Sequence, residues 1–228
     1  MTRLRLWMRY LLKARETWRI LARDFGWKRA FMEKRSVDAN GAALPWYTYP
    51  AIEFLRSLDL RDKRVFEFGC GNSSVFWAGM VRELVAVEND PAWAGIVRNF
   101  GIRNLTLIEE SDRERYIAAP ERVGGGFDIV VIDGRFRQAC VGPACRVAKR
   151  DGMIIFDNAD WYPDACAELR GQGWSQIDFS GFGPINPYCW TTSVFIRSEL
   201  RAGRTETFRP TGGTPPRRDG SAGLPFQD

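Results

Sequence analysis

The chain of 228 residues is 45% apolar and 27% charged, which suits one globular domain with a sizeable core and argues against wholesale disorder. It contains no histidine, which excludes Ser-His-Asp and Cys-His nucleophile systems, His-ligated zinc and an imidazole base. The five cysteines are scattered without a Cys-x-x-Cys pair, so we expect free thiols rather than disulfides or a zinc knuckle. No apolar run approaches the roughly 20 residues that span a bilayer, and no secretory signal is recognisable, so we expect a cytoplasmic protein.

The positive charge is concentrated near the start of the sequence. Residues 1–35 carry eleven basic and three acidic side chains, a net charge of +8, whereas the whole chain has a net charge of +5. The remaining residues therefore sum to −3, so a basic arm precedes a mildly acidic body. Because the excess charge belongs to the arm, it gives no support for general nucleic-acid binding, and we do not expect a nucleic-acid partner.

Residues 4–25 have the pattern of an amphipathic helix. Basic side chains such as Arg5, Arg9 and Lys13 fall opposite an apolar stripe with three- and four-residue spacing. Such a helix can pack on its own domain, dock on a protein partner, or make peripheral contact with an anionic membrane through residues 3–25. All three roles are open from the sequence. The apolar stripe comprises Leu4, Trp7, Met8, Leu11, Ala14, Trp18, Leu21, Ala22 and Phe25.

We divide the chain into a basic amphipathic helical extension over residues 1–45, a main domain over 46–200 and a tail over 201–228. The tail consists largely of Gly, Pro, Thr and Arg, so we expect it to be disordered. The alternating elements predict an α/β fold with a mostly parallel sheet, helices on both faces and an antiparallel hairpin at one edge. Strands are predicted over 64–68, 84–88, 105–108, 127–133, 153–157, 174–179 and 191–197. Helices are predicted over 50–58, 73–80, 91–100, 111–118, 137–149 and 162–170.

The first predicted strand runs into a glycine-rich turn. Gly69 and Gly71 allow the backbone to approach a ligand closely, and the helix that begins near Ser73 offers unpaired N–H groups to an anion. Glu88 ends the next strand, where a carboxylate is suited to accept both hydroxyls of a ribose. Together these residues predict a nucleoside-binding crevice at the carboxyl ends of neighbouring strands.

A dinucleotide fingerprint would have a third glycine at the position of Ser74. The arrangement Glu67-x-Gly69-x-Gly71 instead resembles the first motif of class I S-adenosylmethionine-dependent methyltransferases, and the resemblance extends over about residues 46–197. It implies a Rossmann-like, seven-stranded fold in which the glycine loop accommodates the methionine end of the cofactor and Glu88 holds its ribose. The cofactor-binding residues expected from this resemblance are Glu67, Gly69, Gly71, Ser73, Ser74, Glu88 and Asp133.

Asp133, Asp157 and Asn158 follow two strands that we expect to be parallel neighbours. Three oxygen donors at one edge suit a hard divalent cation such as Mg²⁺. The pattern resembles the metal-dependent O-methyltransferases of the catechol and caffeoyl-CoA type, where such residues hold a cation that acidifies vicinal hydroxyls. This resemblance implies that the three residues are catalytic and bind metal. The alternative is that Asp157 and Asn158 only cap the following turn.

The sequence departs from that subfamily after Asp133. Those enzymes place a lysine there as a proton acceptor, whereas Arg135 and Arg137 occupy this stretch, and an arginine does not accept a proton near neutral pH. The two arginines are suited to bind a carboxylate or phosphate of the substrate, or else they are simply solvated. Asp160 could serve as a general base or as a loop cap.

Further residues are candidates for the walls of the crevice. Trp93 and residues 109–111 lie where such enzymes contact adenine, although Trp93 also suits ordinary packing. The Gly/Pro-rich residues 181–190 and the aromatic cluster at 46–49 are candidates for opposite walls of an acceptor site. The aromatic cluster could equally fasten the first helix of the domain to the sheet.

These features predict an S-adenosylmethionine-dependent methyltransferase that methylates a hydroxyl of a small molecule or sugar, with Mg²⁺ as a candidate second cofactor. An anionic acceptor would suit the two arginines. The alternatives are an NAD(P)-dependent oxidoreductase that uses the same crevice, and a non-catalytic binding module that acts through its basic N-terminal helix.

Overall fold

The computed structural model describes residues 3–197, and the predicted tail at 201–228 lies outside this range. The strands are β1 (Arg64–Phe68), β2 (Glu83–Glu88), β3 (Leu105–Glu109), β4 (Phe127–Ile132), β5 (Ala148–Phe156), β6 (Ser175–Gly181) and β7 (Trp190–Ile196). The helices are α1 (Arg3–Arg19), α2 (Trp27–Glu33), α3 (Tyr49–Arg56), α4 (Asn72–Ala78), α5 (Pro91–Arg98), α6 (Arg113–Ile117), α7 (Ala119–Arg122), α8 (Arg137–Val147) and α9 (Pro163–Gly171). A π-helical turn at Ile20–Asp24 follows α1, and a 3₁₀ turn at Ala159–Trp161 precedes α9.

The seven strands form one sheet in the order β3-β2-β1-β4-β5-β7-β6. Strands β1 to β5 pair in parallel, and β7 runs antiparallel to both β5 and β6. The predicted mostly parallel sheet with an antiparallel edge hairpin is therefore confirmed. The order reverses at β1 and β4, so their carboxyl ends border a crevice of the kind that binds ligands in open α/β sheets.

The core lies on both faces of the sheet because successive side chains of a strand point to opposite sides. Phe66 and Phe68 of β1 belong to an apolar cluster that includes Leu169 of α9. Val65 of the same strand belongs to a second cluster on the other face, with Trp77 of α4. The fully buried central strands explain the nearly continuous apolar runs in the sequence.

Element boundaries differ from the predictions mainly around β5. The strand begins at Ala148, five residues before its predicted start, and the preceding helix ends at Val147 rather than at residue 149. Ala148 pairs with Phe127, and the register then shifts before Ile129 pairs with Met153. This early pairing extends β5 through a polar stretch that local apolar patterning did not indicate.

Helix α1 projects from the domain. All of its side chains that the structure describes are exposed, and Ala22, in the π-helical turn, is the first buried residue of the described chain. The stripe of α1 therefore does not pack on its own domain, which contradicts that one of the three possible roles. The helix contacts the domain near its end, where the ring centroids of Trp18 and Trp27 are 5.6 Å apart. Within residues 3–197, no helix is both long enough and apolar enough to cross a membrane.

Candidate functional site

Two glycines bring the loops after β1 and β4 into backbone contact. Gly69 has φ = +91°, and a Cβ atom there would lie 2.9 Å from the Cα atom of Gly134. A Cβ atom on Gly134 would lie 2.7 Å from the backbone nitrogen of Gly69 and would also collide with the Tyr116 hydroxyl. Sequence reasoning identified Gly69 but missed Gly134, whose position directly after a strand-ending aspartate was the available signal.

Glu67 lies beneath the glycine loop. Its side chain is fully buried, and the Ser74 hydroxyl donates to its Oε2 at 2.5 Å. The backbone N–H of Gly71 in turn donates to the Ser74 hydroxyl at 3.1 Å. Burial raises the pKa of Glu67 to about 8, although the hydroxyls of Ser73 and Ser74 oppose this rise. Glu67 and Ser74 thus support the loop from its buried side.

Glu88 ends β2 beside the same loop. Its Oε1 accepts the backbone N–H groups of Asn89 at 2.8 Å and Asp90 at 2.9 Å, and the Cys70 thiol donates to its Oε2 at 3.5 Å. The Trp93 indole nitrogen donates to the Cys70 carbonyl at 2.8 Å, and its ring faces Gly71. The structure therefore brings together the glycine loop, the second-strand acid and Trp93, as the sequence predicted.

The other residues predicted near adenine follow β3. Glu110 donates its backbone N–H to the Glu88 carbonyl at 2.8 Å, which places it next to the second-strand acid. Its carboxylate pairs with Arg115 at 3.3 Å and with Arg122 at 3.4 Å. Glu109 pairs with Arg98 at 2.7 Å, and Ser111 is exposed. Both carboxylates are thus engaged by surface arginines.

A second polar cluster lies where β4 and β5 end, with the Arg137 guanidinium at its centre. Its Nη2 donates to Oδ1 of Asp133 at 2.8 Å, and its Nη1 donates to Oδ1 of Asn158 at 2.8 Å and to the carbonyl of Asp157 at 2.5 Å. Oδ1 of Asp157 accepts from the Thr192 hydroxyl at 2.5 Å. The predicted juxtaposition of the three oxygen-bearing residues is present, but an arginine joins them.

Burial sets the protonation of this cluster. It raises the pKa of Asp133 to about 6, and the adjacent Arg137 guanidinium opposes the rise. Burial also raises the pKa of Asp157 well above its usual range, and the charge of Asp133 adds to the effect. Asp157 is 2% exposed, whereas the Asp133 side chain is 19% exposed, so Asp133 is the carboxylate that a ligand can reach.

The cluster does not fit a bound Mg²⁺ ion. Such an ion requires about six oxygen ligands in near-octahedral geometry, at distances of about 2.1 Å. Oδ1 of Asp133 and Oδ1 of Asn158 accept from Arg137, while Oδ1 of Asp157 accepts from Thr192 and from the Trp190 indole at 3.1 Å.

The arginines and the turn residues are placed as follows. Arg137 is committed to the cluster rather than to an acceptor, whereas Arg135 is exposed nearby. Asn158 has a left-handed backbone, and its carbonyl accepts the N–H of Trp161. Its side chain makes no capping hydrogen bond to this turn and accepts from Arg137 instead, so the turn-capping alternative is not supported for Asn158. Oδ1 of Asp160 accepts the N–H of Thr191 at 2.8 Å and ties this turn to β7.

The two predicted walls pack against each other. Tyr49 donates its N–H to the Phe182 carbonyl at 2.7 Å, which joins the aromatic cluster to the hairpin loop. Thr48 donates its N–H to the Thr192 hydroxyl at 3.0 Å, and that hydroxyl donates to Asp157. The segment before α3 is therefore fastened to the sheet, and it reaches the polar cluster through Thr192.

Tyr47 is a site residue that sequence reasoning did not separate from its aromatic neighbours. Its ring is fully buried, and its hydroxyl is 3.5 Å from the Trp77 indole nitrogen. Burial raises its pKa well above the usual range, and the negative charges of Asp133 and Glu67 add to this effect. The phenol therefore stays neutral, and its pKa responds to the charges of both Glu67 and Asp133.

No family model and no curated protein sequence matches the chain, but solved structures do. A precorrin-6y C5,15-methyltransferase from Geobacter metallireducens is 17% identical with a TM-score of 0.52, over 65% of this chain and 87% of its own. An rRNA methylase from Streptococcus thermophilus is 16% identical with a TM-score of 0.50, over 66% of this chain and 98% of its own. The chain has the fold of class I S-adenosylmethionine-dependent methyltransferases, as the sequence predicted.

Proposed function

We propose that this protein is an S-adenosylmethionine-dependent methyltransferase that methylates a hydroxyl of a small molecule or sugar. One observation carries the proposal: the glycine loop after β1 lies against Glu88 at the end of β2. Strands β1 and β2 pair in parallel, and the thiol of Cys70 in the loop contacts Glu88. A loop with close backbone approach and a neighbouring carboxylate suit a nucleoside with a flexible charged end. The topology of the sheet supports the same ligand.

In this proposal Glu88 holds the ribose, and the turn at Gly69 and Gly71 accommodates the methionine end. When bound there, S-adenosylmethionine would supply an electrophilic methyl group for the acceptor oxygen, with S-adenosylhomocysteine as the leaving group and the hydroxyl proton passing to a base. The contribution of the protein is chiefly to align the two reactants. The acceptor is expected beyond β4 and β5, beside Asp133.

Asp133 is suited to accept the proton that the acceptor hydroxyl loses. With a pKa near 6 it is ionised at neutral pH, and its partial exposure lets a hydroxyl approach. Arg137 fixes the orientation of the Asp133 carboxylate, while Asp157 and Asn158 hold Arg137. We therefore assign proton transfer to Asp133 and positioning roles to the other three residues.

The acceptor is proposed to be a hydroxylated small molecule or a sugar rather than a nucleic acid. The sequence after residue 35 has a net charge of −3, which disfavours a phosphate backbone. The exposed Arg135 lies two residues after Asp133 in the chain and is the side chain we assign to an anionic group of the acceptor.

The proposal is tested first by ligand-induced stabilisation, with S-adenosylhomocysteine as the probe and NAD as the control. A ligand at about a hundred times its dissociation constant adds about 2.7 kcal/mol, which raises the melting temperature by roughly 5–10 °C for a domain of this size. A shift with NAD alone would favour the oxidoreductase. No shift with either ligand, from folded protein, would favour the binding module.

The Glu88→Ala variant then tests the site itself. Loss of the ribose contacts should weaken S-adenosylhomocysteine binding in calorimetry by about ten- to a hundredfold. Glu83→Ala is the matched control, since Glu83 begins the same strand at the end away from the glycine loop and pairs with Arg64 at 2.9 Å. Equal affinities of the wild-type protein and the Glu88→Ala variant would refute the assignment of the ribose site.

A further inference from the structure

The described part of the chain leaves the apolar stripe of α1 uncovered. Trp7, Leu11 and Trp18 are 63%, 57% and 55% exposed, and their spacing places them on one face of the helix. A helix of 17 residues is about 25 Å long, so the stripe is an extended surface rather than a single exposed side chain. Continuous apolar surfaces of this kind mark sites of interaction with a partner or a membrane.

The opposite face of α1 is strongly basic. Helix α1 contains six basic side chains and one acidic side chain, a net charge of +5, and Lys13 pairs with that acid, Glu16, at 3.3 Å. Arg5 and Arg9 lie with Lys13 on the face away from the stripe, and all three are exposed. The helix therefore offers apolar and cationic surface together along its whole length.

We propose that α1 is a membrane-docking helix that lies in the surface of an anionic bilayer, with the Trp7 face toward the acyl chains. Such a surface covers the apolar stripe and neutralises the basic side chains at the same time. Tryptophan and tyrosine favour the boundary between headgroups and acyl chains, and α1 carries exposed Trp7, Tyr10 and Trp18. A second copy fits less well, because it would oppose two helices of charge +5.

The junction between α1 and the domain supports this arrangement. Trp18 packs against Trp27 at the start of α2, and the Trp27 indole nitrogen donates to the Asn186 carbonyl in the hairpin loop at 2.9 Å. Exposed apolar side chains continue in α2 at Phe31 and Met32. Docking of α1 thus holds the hairpin side of the domain close to the bilayer.

The test is flotation of the full-length protein with vesicles. We expect binding to vesicles of equimolar phosphatidylcholine and phosphatidylglycerol, weaker binding at high salt, and little binding to phosphatidylcholine alone. Replacing Trp7→Gln together with Leu11→Gln should lower the partition coefficient at least about tenfold without changing the net charge. The matched control is Ile96→Gln with Ile177→Gln, two apolar side chains that are 47% and 42% exposed outside α1 and should leave binding unchanged.

The charge contribution is measured separately. Arg9→Gln with Lys13→Gln should weaken binding to the anionic vesicles by about thirtyfold. Three results would overturn the proposal: no flotation at low salt, equal binding to neutral vesicles, or equal loss in the control pair. Self-association in light scattering that the Trp7 and Leu11 replacements abolish, without vesicle binding, would also overturn it and assign the stripe to a second copy.

Discussion

Replacement of Glu67 by Gln tests whether the buried carboxyl beneath the glycine loop is protonated in the folded protein. The pKa of Glu67 is about 8 in the folded chain, against an ordinary value of 4.5. Between these values the unfolded chain releases the proton while the folded protein keeps it, so the free energy of unfolding falls as the pH rises. Each pKa unit corresponds to about 1.4 kcal/mol, which sets an upper limit on the order of 5 kcal/mol above pH 8.

Glutamine keeps the shape of the protonated acid and an oxygen that can accept from Ser74, but it cannot ionise. Urea unfolding of both proteins from about pH 5 to about pH 9 should give similar stabilities at the acidic end, since both side chains are then neutral. The variant should become the more stable protein progressively toward pH 9. Glu53→Gln, at an exposed position, is the control and should show no such trend.

A stability difference between the wild-type protein and Glu67→Gln that does not change with pH would refute this reasoning. It would mean that Glu67 titrates alike in the folded and unfolded chains, despite its burial. Such a result would also remove the reason for treating Glu67 as an uncharged support of the loop, and it would favour a charged carboxylate that reaches the cofactor directly.

Three further changes test the second cluster and its neighbouring loop. Gly134→Ala should lower the free energy of unfolding by about 1–3 kcal/mol or more, because the new Cβ atom would press on Gly69. The same variant should bind S-adenosylhomocysteine more weakly. An unchanged melting temperature would contradict the close approach of the two loops. Arg137→Met should lower the free energy of unfolding by about 3–5 kcal/mol, because it leaves the buried carboxyls of Asp133 and Asp157 without their cation. EDTA should not alter turnover of the wild-type protein. Activity that is lost on chelation and recovered with Mg²⁺ would contradict the conclusion that the cluster does not fit a metal. Once an acceptor is known, turnover of the wild-type protein should rise with pH through about 6 as Asp133 ionises, and Asp133→Asn should abolish most of the activity. An Asp133→Asn variant that keeps substantial activity with the wild-type pH profile would exclude Asp133 as the base.

The sequence was sufficient to predict that the glycine loop and Glu88 lie together, because its signals are local. A strand followed by Gly69 and Gly71 and a second strand that ends in Glu88 can each be recognised within a few residues. Parallel pairing then brings these ends together without further information. Gly134 was missed because its constraint is a contact with a loop 65 residues earlier, and no local pattern records that contact.

The sequence predicted which oxygen-bearing residues meet in the second cluster, but not which cation they bind. Adjacent strand ends imply that Asp133, Asp157 and Asn158 meet, and they do. The sequence did not show whether Arg137 points to solvent, to an acceptor or into the cluster, because the direction of a long side chain depends on what surrounds it. Its donors bond to Asp133 and Asn158, so the cation among these oxygens is a guanidinium.

By itself, the sequence determined the α/β class, the seven strands and their order along the chain, the glycine loop with its acidic partner, and the amphipathic character of α1, whereas α2 was not predicted. These follow from periodicity, turn residues and local spacing. Only the tertiary structure decided that Glu67 is buried beneath the loop, that Arg137 links Asp133 to Asn158, and that the stripe of α1 stays exposed. Each of these depends on which distant surfaces meet, because burial and charge pairing are properties of the packed chain rather than of its local segments.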